Sequence, residues 1–156
     1  MSERHKKLII YISQLIMPGL LFYSIPSVYD AAISSINIPT LSYQWVLIIV
    51  MISWGLGSLI AGIIINTYGA YIGIIFGYIL AIIAFSLLFI QINSFILIIF
   101  SISIGLSLAF LMLDGTIAYF AQTTESILEF RKNIIYLTFF SGFAGTFTYL
   151  FISPVL

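Results

Sequence analysis

Cysteine is absent from this 156-residue chain, which removes disulfide frameworks, metal–thiolate sites and thiol chemistry from consideration. Charge is almost as scarce. Only 6% of the residues are Asp, Glu, Lys or Arg, against roughly a quarter in a soluble domain of ordinary composition. The 5 cationic residues are Arg4, Lys6, Lys7, Arg131 and Lys132, so there is no basic stripe for a nucleic-acid backbone. The single histidine, His5, sits in the basic N-terminal tail, where a solvated role is the default. No apolar run contains a histidine to activate a nucleophile. Paired-histidine metal motifs and phosphate-cradling glycine loops are missing too, and the one acid inside an apolar run, Asp114, lacks the partner an intramembrane acid protease needs. No enzyme activity, cofactor or metal is expected.

What the chain does have is apolar surface: 62% hydrophobic residues and a mean hydropathy of +1.23. Lipid is the solvent such a composition suits, and the expected fold is an all-α integral membrane protein. A hydrocarbon core of about 30 Å takes roughly 20 helical residues. Residues 8–29 form one such run, and the connection that follows, to residue 42, holds Asn37 and Pro39. Residues 43–90 are apolar almost throughout, and as one helix they would reach about 70 Å, more than twice the membrane thickness. That stretch must fold back. Asn66-Thr67-Tyr68-Gly69 is the cluster of turn-forming residues near its middle, and it predicts a hairpin. A second break at 91–94, a fourth run at 95–121, a polar loop at 122–133 and a fifth run at 134–155 complete the count.

Five spans, at about 8–29, 43–65, 70–90, 95–121 and 134–155, put every Lys and Arg on one side of the bilayer. The N-terminus is then cytoplasmic and the C-terminus outside, in a multi-pass protein of the cell membrane. The first run has the basic start of a secretory leader, but it continues too far and offers no convincing small-residue cleavage site, so it is read as a retained span.

Three features inside the spans bear on function. Gly69, Gly73, Gly77 and Ala81 recur every four residues and make a small-residue ridge along the third span. In lipid such ridges let backbones approach closely; the ridge is either ordinary helix packing or a sliding surface. Ser58 with Gly62, and Ser141 with Gly145, repeat the spacing once each. In the fourth span, treated as one continuous helix, Ser103, Ser107, Asp114 and Ala121 fall within about 40° of one another. Ser101, Gly105, Ala109, Met112 and Thr116 take the opposite side. Asp114 carries a desolvation cost of about 2.5–3.5 kcal/mol if it lies at a helix centre, so it either faces a cavity or sits near the interface bonded to water or a hydroxyl. In the first span Pro18 predicts a kink, and Gln14, on the same face, can bond the freed carbonyl or line a cavity. Trp45 suits an interface, Trp54 a core. Glu125, Glu129 and Arg131 can form a short interfacial helix held by local pairs, with a solvated loop as the default.

The stretch LSYQWVLIIVMISWGLGSLIAGIIINTYGAYIG resembles the second helix, tight cytoplasmic loop and third-helix start of the major facilitator superfamily. That family's loop signature is Gly-x-Leu-Ala-Asp-Arg-x-Gly-Arg, and the matching positions here read Gly62-Ile63-Ile64-Ile65-Asn66-Thr67-Tyr68-Gly69-Ala70. Both glycines keep their spacing, whereas Asn66 replaces the acid and Thr67 and Ala70 replace the arginines. FYSIPSVYDAAI is similar to the outer end of the first helix in oxalate/formate-type antiporters. AQTTESILEFRKNIIYLTFFSGFAGTFTYLFISPVL resembles the following loop and fifth helix, with Arg131 near the family's loop arginine. The resemblance implies a partial major-facilitator-type bundle and carriage of a small solute by alternating access. The charge relay of that loop is not preserved, so no gating role is carried over.

Five helices do not make one six-helix half of such a carrier. The chain is therefore expected to be the opening portion of a longer transporter, or to work with a second membrane chain or as a homo-oligomer. The alternative is a non-transporting, truncated membrane protein that serves as a structural or partner subunit. For transport, Asp114, Gln14, Ser103 and Ser107 are the candidate cavity residues.

Overall fold

The computed structural model describes residues 5–13, 19, 21, 25–26, 29, 43–87, 89 and 93–151, except the side chains at 113–114, 141 and 145–151. Among the described residues the chain is helical, with no strand. Helix α1 covers 5–13, and residues 19, 21, 25–26 and 29 are helical as well. It is followed by α2 (Tyr43–Tyr68), α3 (Ala70–Leu87), α4 (Ser94–Leu111), α5 (Leu113–Thr123) and α6 (Ile127–Phe151).

Three stretches are long and apolar enough to cross a membrane: Tyr43–Tyr68, Ala70–Leu87 and Ser94–Thr123. They correspond to the second, third and fourth expected spans. The expected first span, and the end of the fifth, run into residues outside those described. Within Ser94–Thr123 the apolar window is 65% buried, against 28% and 33% in the other two, so this stretch is the centre of the bundle. α4 packs broadly on both α2 and α3, which touch each other much less. Its buried side chains Phe100, Ile104, Leu108 and Phe110 meet Val46, Val50 and Ala61 from α2 and Ala81 and Ala84 from α3 in one core.

The boundaries follow from local chemistry and differ from expectation at three places. First, the predicted four-residue turn is a single residue. α2 runs through Asn66, Thr67 and Tyr68, and only Gly69 stands outside a helix, at φ +91°. Thr67 fits the last helical turn because its hydroxyl donates back to the Ile63 carbonyl at 2.8 Å. Gly69 then donates its N–H to the Ile65 carbonyl at 2.9 Å, a left-handed helix end that glycine adopts without a Cβ penalty. Second, the expected fourth span is interrupted. Met112, with ψ −132°, is at once the end of α4 and the start of α5. Third, most of the expected 122–133 loop is helical, since only residues 124–126 separate α5 from α6. The Ser126 hydroxyl accepts the Leu128 N–H at 3.2 Å and starts α6 early. The break before α4 falls where expected. Asn93 caps that helix by accepting the Ile96 N–H at 2.9 Å.

Candidate functional site

The ridge on α3 is a packing surface. Gly73, Gly77 and Ala81 are all buried. A Cβ built on Gly77 would lie 2.7 Å from Phe110 Cβ and 2.8 Å from Leu111 Cγ; one on Gly73 would lie 2.7 Å from Ile65 Cγ1. The ridge therefore seats the end of α4. Ser107 is fully buried there, and its hydroxyl donates to the Gly77 carbonyl at 2.9 Å across the α3–α4 contact. The opposite side of α4 packs on α2 just as closely. A Cβ on Gly105 would stand 2.5 Å from the Val50 carbonyl oxygen and 2.7 Å from Ser53 Cβ; one on Gly57 would stand 2.9 Å from Ala109 Cβ. Ser101, also buried, donates to its own helix at the Leu97 carbonyl, 2.7 Å away. Ser103 is 8% exposed. Both small-residue faces of α4 are thus covered by neighbouring helices. Gly62 lies on an exposed stretch of α2, and among the described residues nothing comes within 4 Å of a Cβ built there, so no packing role for the Ser58–Gly62 spacing is seen at its Gly62 end.

Asp114 sits two residues beyond the interruption. Its backbone lies in the first turn of α5, and its side chain is outside the described atoms. The interruption removes the geometric basis for placing Asp114 and Ala121 on the same face as Ser103 and Ser107. A 100° step holds only along one unbroken helix, and at Met112 the backbone leaves that path. Two residues accommodate the bend. Gly115 is packed so closely on the Phe110 carbonyl that a Cβ would overlap it, and the Thr116 hydroxyl donates to the Met112 carbonyl. The dipeptide Asp114-Gly115 is a turn signal in its own right, and it marks this bend inside an otherwise apolar run. Gln14, the remaining cavity candidate, lies outside the described residues, as does Pro18.

A polar site that sequence reasoning did not assemble lies between α1 and α6. Lys7 Nζ donates to Glu129 Oε1 at 2.8 Å, and Tyr11 donates its phenol to Asn133 Oδ1 at 2.9 Å. Both pairs are separated by 122 positions. One turn along α1 therefore matches one turn along α6 in the same sense, and the two helices run parallel. Glu129 thus pairs with α1, neither within its own segment nor as part of a solvated loop. Asn133, buried though polar, also donates from Nδ2 to Thr124 Oγ1 at 3.3 Å. The Tyr11 ring stacks on Phe120 at 5.3 Å between centroids. Arg131 and Asn66 are exposed, on α6 and in the last turn of α2 respectively.

Beside these contacts is an open cavity of about 810 Å³, with His5, Lys7 and Tyr11 on the α1 side and Glu129, Lys132 and Asn133 on the α6 side. Next to it a wholly apolar groove of about 480 Å³ is lined by Tyr11, Ile135, Tyr136, Phe139 and Phe140. Among the described residues no cluster of His, Asp and Glu is placed to hold a metal ion. Compared with protein-family models, curated proteins and solved structures, the chain matches none.

Proposed function

We propose that the chain is a multi-pass protein of the cell membrane, related to the N-terminal part of a major facilitator superfamily carrier, and that it takes part in moving a small solute without catalysing a reaction. The observation that carries the reading is the interruption of the most apolar, most buried stretch at Met112, beside its only acid, Asp114. Within a bilayer, irregular backbone is tolerated only where protein buries it or where it lines a cavity. Broken helices next to an ionisable residue are how many transporters build their solute and ion sites.

The parallel register of α1 and α6 supports the topology. If the chain crosses once in each of Tyr43–Tyr68, Ala70–Leu87 and Ser94–Thr123, helices on either side of those three crossings must point the same way. That is the orientation the Lys7–Glu129 and Tyr11–Asn133 pairs require. It also gathers Lys6, Lys7, Arg131 and Lys132 at one end, the cytoplasmic end by the positive-inside rule. In this reading Asp114 is the proton- or solute-coupling residue. A continuation of this chain, a second membrane chain or a second copy completes the bundle.

The alternative of a non-transporting structural subunit is favoured by one observation: the Ser107 hydroxyl, a candidate for cavity polarity, is spent on an interhelical bond to Gly77. Solute-dependent or proton flux into proteoliposomes separates the two readings. The transporter reading expects flux that falls at least tenfold in Asp114→Asn. Equal flux in parent and variant removes Asp114 from the mechanism, and no flux above empty vesicles favours the structural subunit.

A further inference from the structure

We infer that the paired cavities between α1 and α6 form a binding site for a singly anionic glycerophospholipid. The headgroup phosphate sits in the polar cavity, and one acyl chain lies in the apolar groove. Three observations carry this.

The first is continuity. Tyr11 and Tyr136 line both cavities, so the polar and apolar compartments are neighbours that share a wall. The second is their order along the helix. Glu129, Lys132 and Asn133 border the polar part, and Ile135, Phe139 and Phe140 the apolar part. From Lys132 to Phe139 the rise is about 10 Å, so polarity gives way to apolar surface over the distance that separates a lipid's phosphate from the start of its chains. The third is charge. Lys7 is neutralised by Glu129, while no described residue pairs with Lys132, so the lining has an excess of one positive charge. That excess matches the single negative charge of a phosphodiester such as phosphatidylglycerol. A phosphatidylcholine headgroup would bring its own cation and gain nothing from Lys132. Two of the lining residues, Tyr11 and Asn133, are tied to each other, and Asn133 to Thr124, by hydrogen bonds that hold them before any lipid arrives.

This site does not depend on the transport reading, and neither does its test. The full chain, purified in a mild non-ionic detergent, is titrated with dioleoyl phosphatidylglycerol or dioleoyl phosphatidylcholine, and lipid adducts are counted by native mass spectrometry. One phosphatidylglycerol per chain is expected to persist under activation that strips phosphatidylcholine. A basic side chain near the headgroup contributes about 1 kcal/mol, so Lys132→Gln should weaken phosphatidylglycerol retention about fivefold. Lys132→Arg keeps the charge and should retain the lipid, which guards against a folding defect in the first variant. Ile135→Trp, which fills the groove, should weaken retention of both lipids. Arg131→Gln, one position away on the exposed surface, should leave it unchanged. Equal retention of the two lipids would overturn the proposal. So would equal losses in Arg131→Gln and Lys132→Gln, displacement of the lipid by millimolar inorganic phosphate, or a dimer whose formation excludes the lipid.

Discussion

The contact of α4 with α2 and α3 and the contact of α1 with α6 are built in opposite ways. Around α4 the contacts are made by Gly57, Gly73, Gly77, Gly105 and Ala109, and at Gly57, Gly77 and Gly105 backbone or Cβ atoms leave no room for a single added methyl. Polar groups there turn inward and are satisfied by carbonyls, as with Ser101 and Ser107. Between α1 and α6 the contacts are made by the far ends of Lys7, Glu129, Tyr11 and Asn133, and space remains beside them. Small residues give close approach and no volume. Long residues give contact at a distance and leave volume behind. In lipid, where apolar burial between helices gives no net drive, the first kind of contact holds helices together, and only the second kind leaves space a ligand can enter.

Breaking the tight side should cost most. In Gly105→Leu the new side chain meets the Val50 carbonyl and Ser53 with nowhere to go. Overpacking of this kind costs about 3 kcal/mol or more, enough to lose the folded peak in fluorescence-detected size-exclusion chromatography. Gly69→Ala tests the one-residue turn. At φ +91° a Cβ costs about 1–2 kcal/mol, to be read as a lower thermal midpoint with the α2–α3 hairpin otherwise intact. Ser107→Ala should lose about 0.6–1 kcal/mol, the usual worth of an interhelical hydrogen bond in a membrane protein. On the loose side, Glu129→Gln breaks an ion pair whose carboxylate is 48% exposed, and about 0.5 kcal/mol or less is expected. Gly62→Ala, with open space around it, should change nothing measurable. A Gly105→Leu variant as stable as Gly62→Ala would erase the distinction between the two kinds of contact.

Much of the tight side was legible in the sequence. The ridge from Gly69 to Ala81, the break ahead of Asn93 and the hairpin at Gly69 all depend on residues close together in the chain, and spacing reveals them. The extent of that hairpin was less legible. Asn66 and Thr67 are turn formers in water, but a threonine hydroxyl that returns its proton to Ile63 stays in a helix. The bend at Met112 escaped because Asp114 was weighed as a charge within one continuous helix, although Asp114-Gly115 marked a turn. The loose side was hidden for another reason. Lys7 and Glu129, or Tyr11 and Asn133, meet only when α2 to α5 have brought the two ends together, and no local pattern announces such a partner.

The Gln122 side chain has a consequence for how the chain is made. Its Oε1 accepts the Ala70 N–H at 2.9 Å, meeting one of the bare amides that open α3 from a position 52 residues later. If the α2–α3 unit enters a bilayer as the polypeptide leaves the ribosome, it does so with that amide still wet. Its clasp arrives only when the end of α5 emerges. Maturation of the early pair thus waits on a later stretch of the same chain, and Gln122→Leu should slow acquisition of protease resistance in timed translation more than it lowers the final yield.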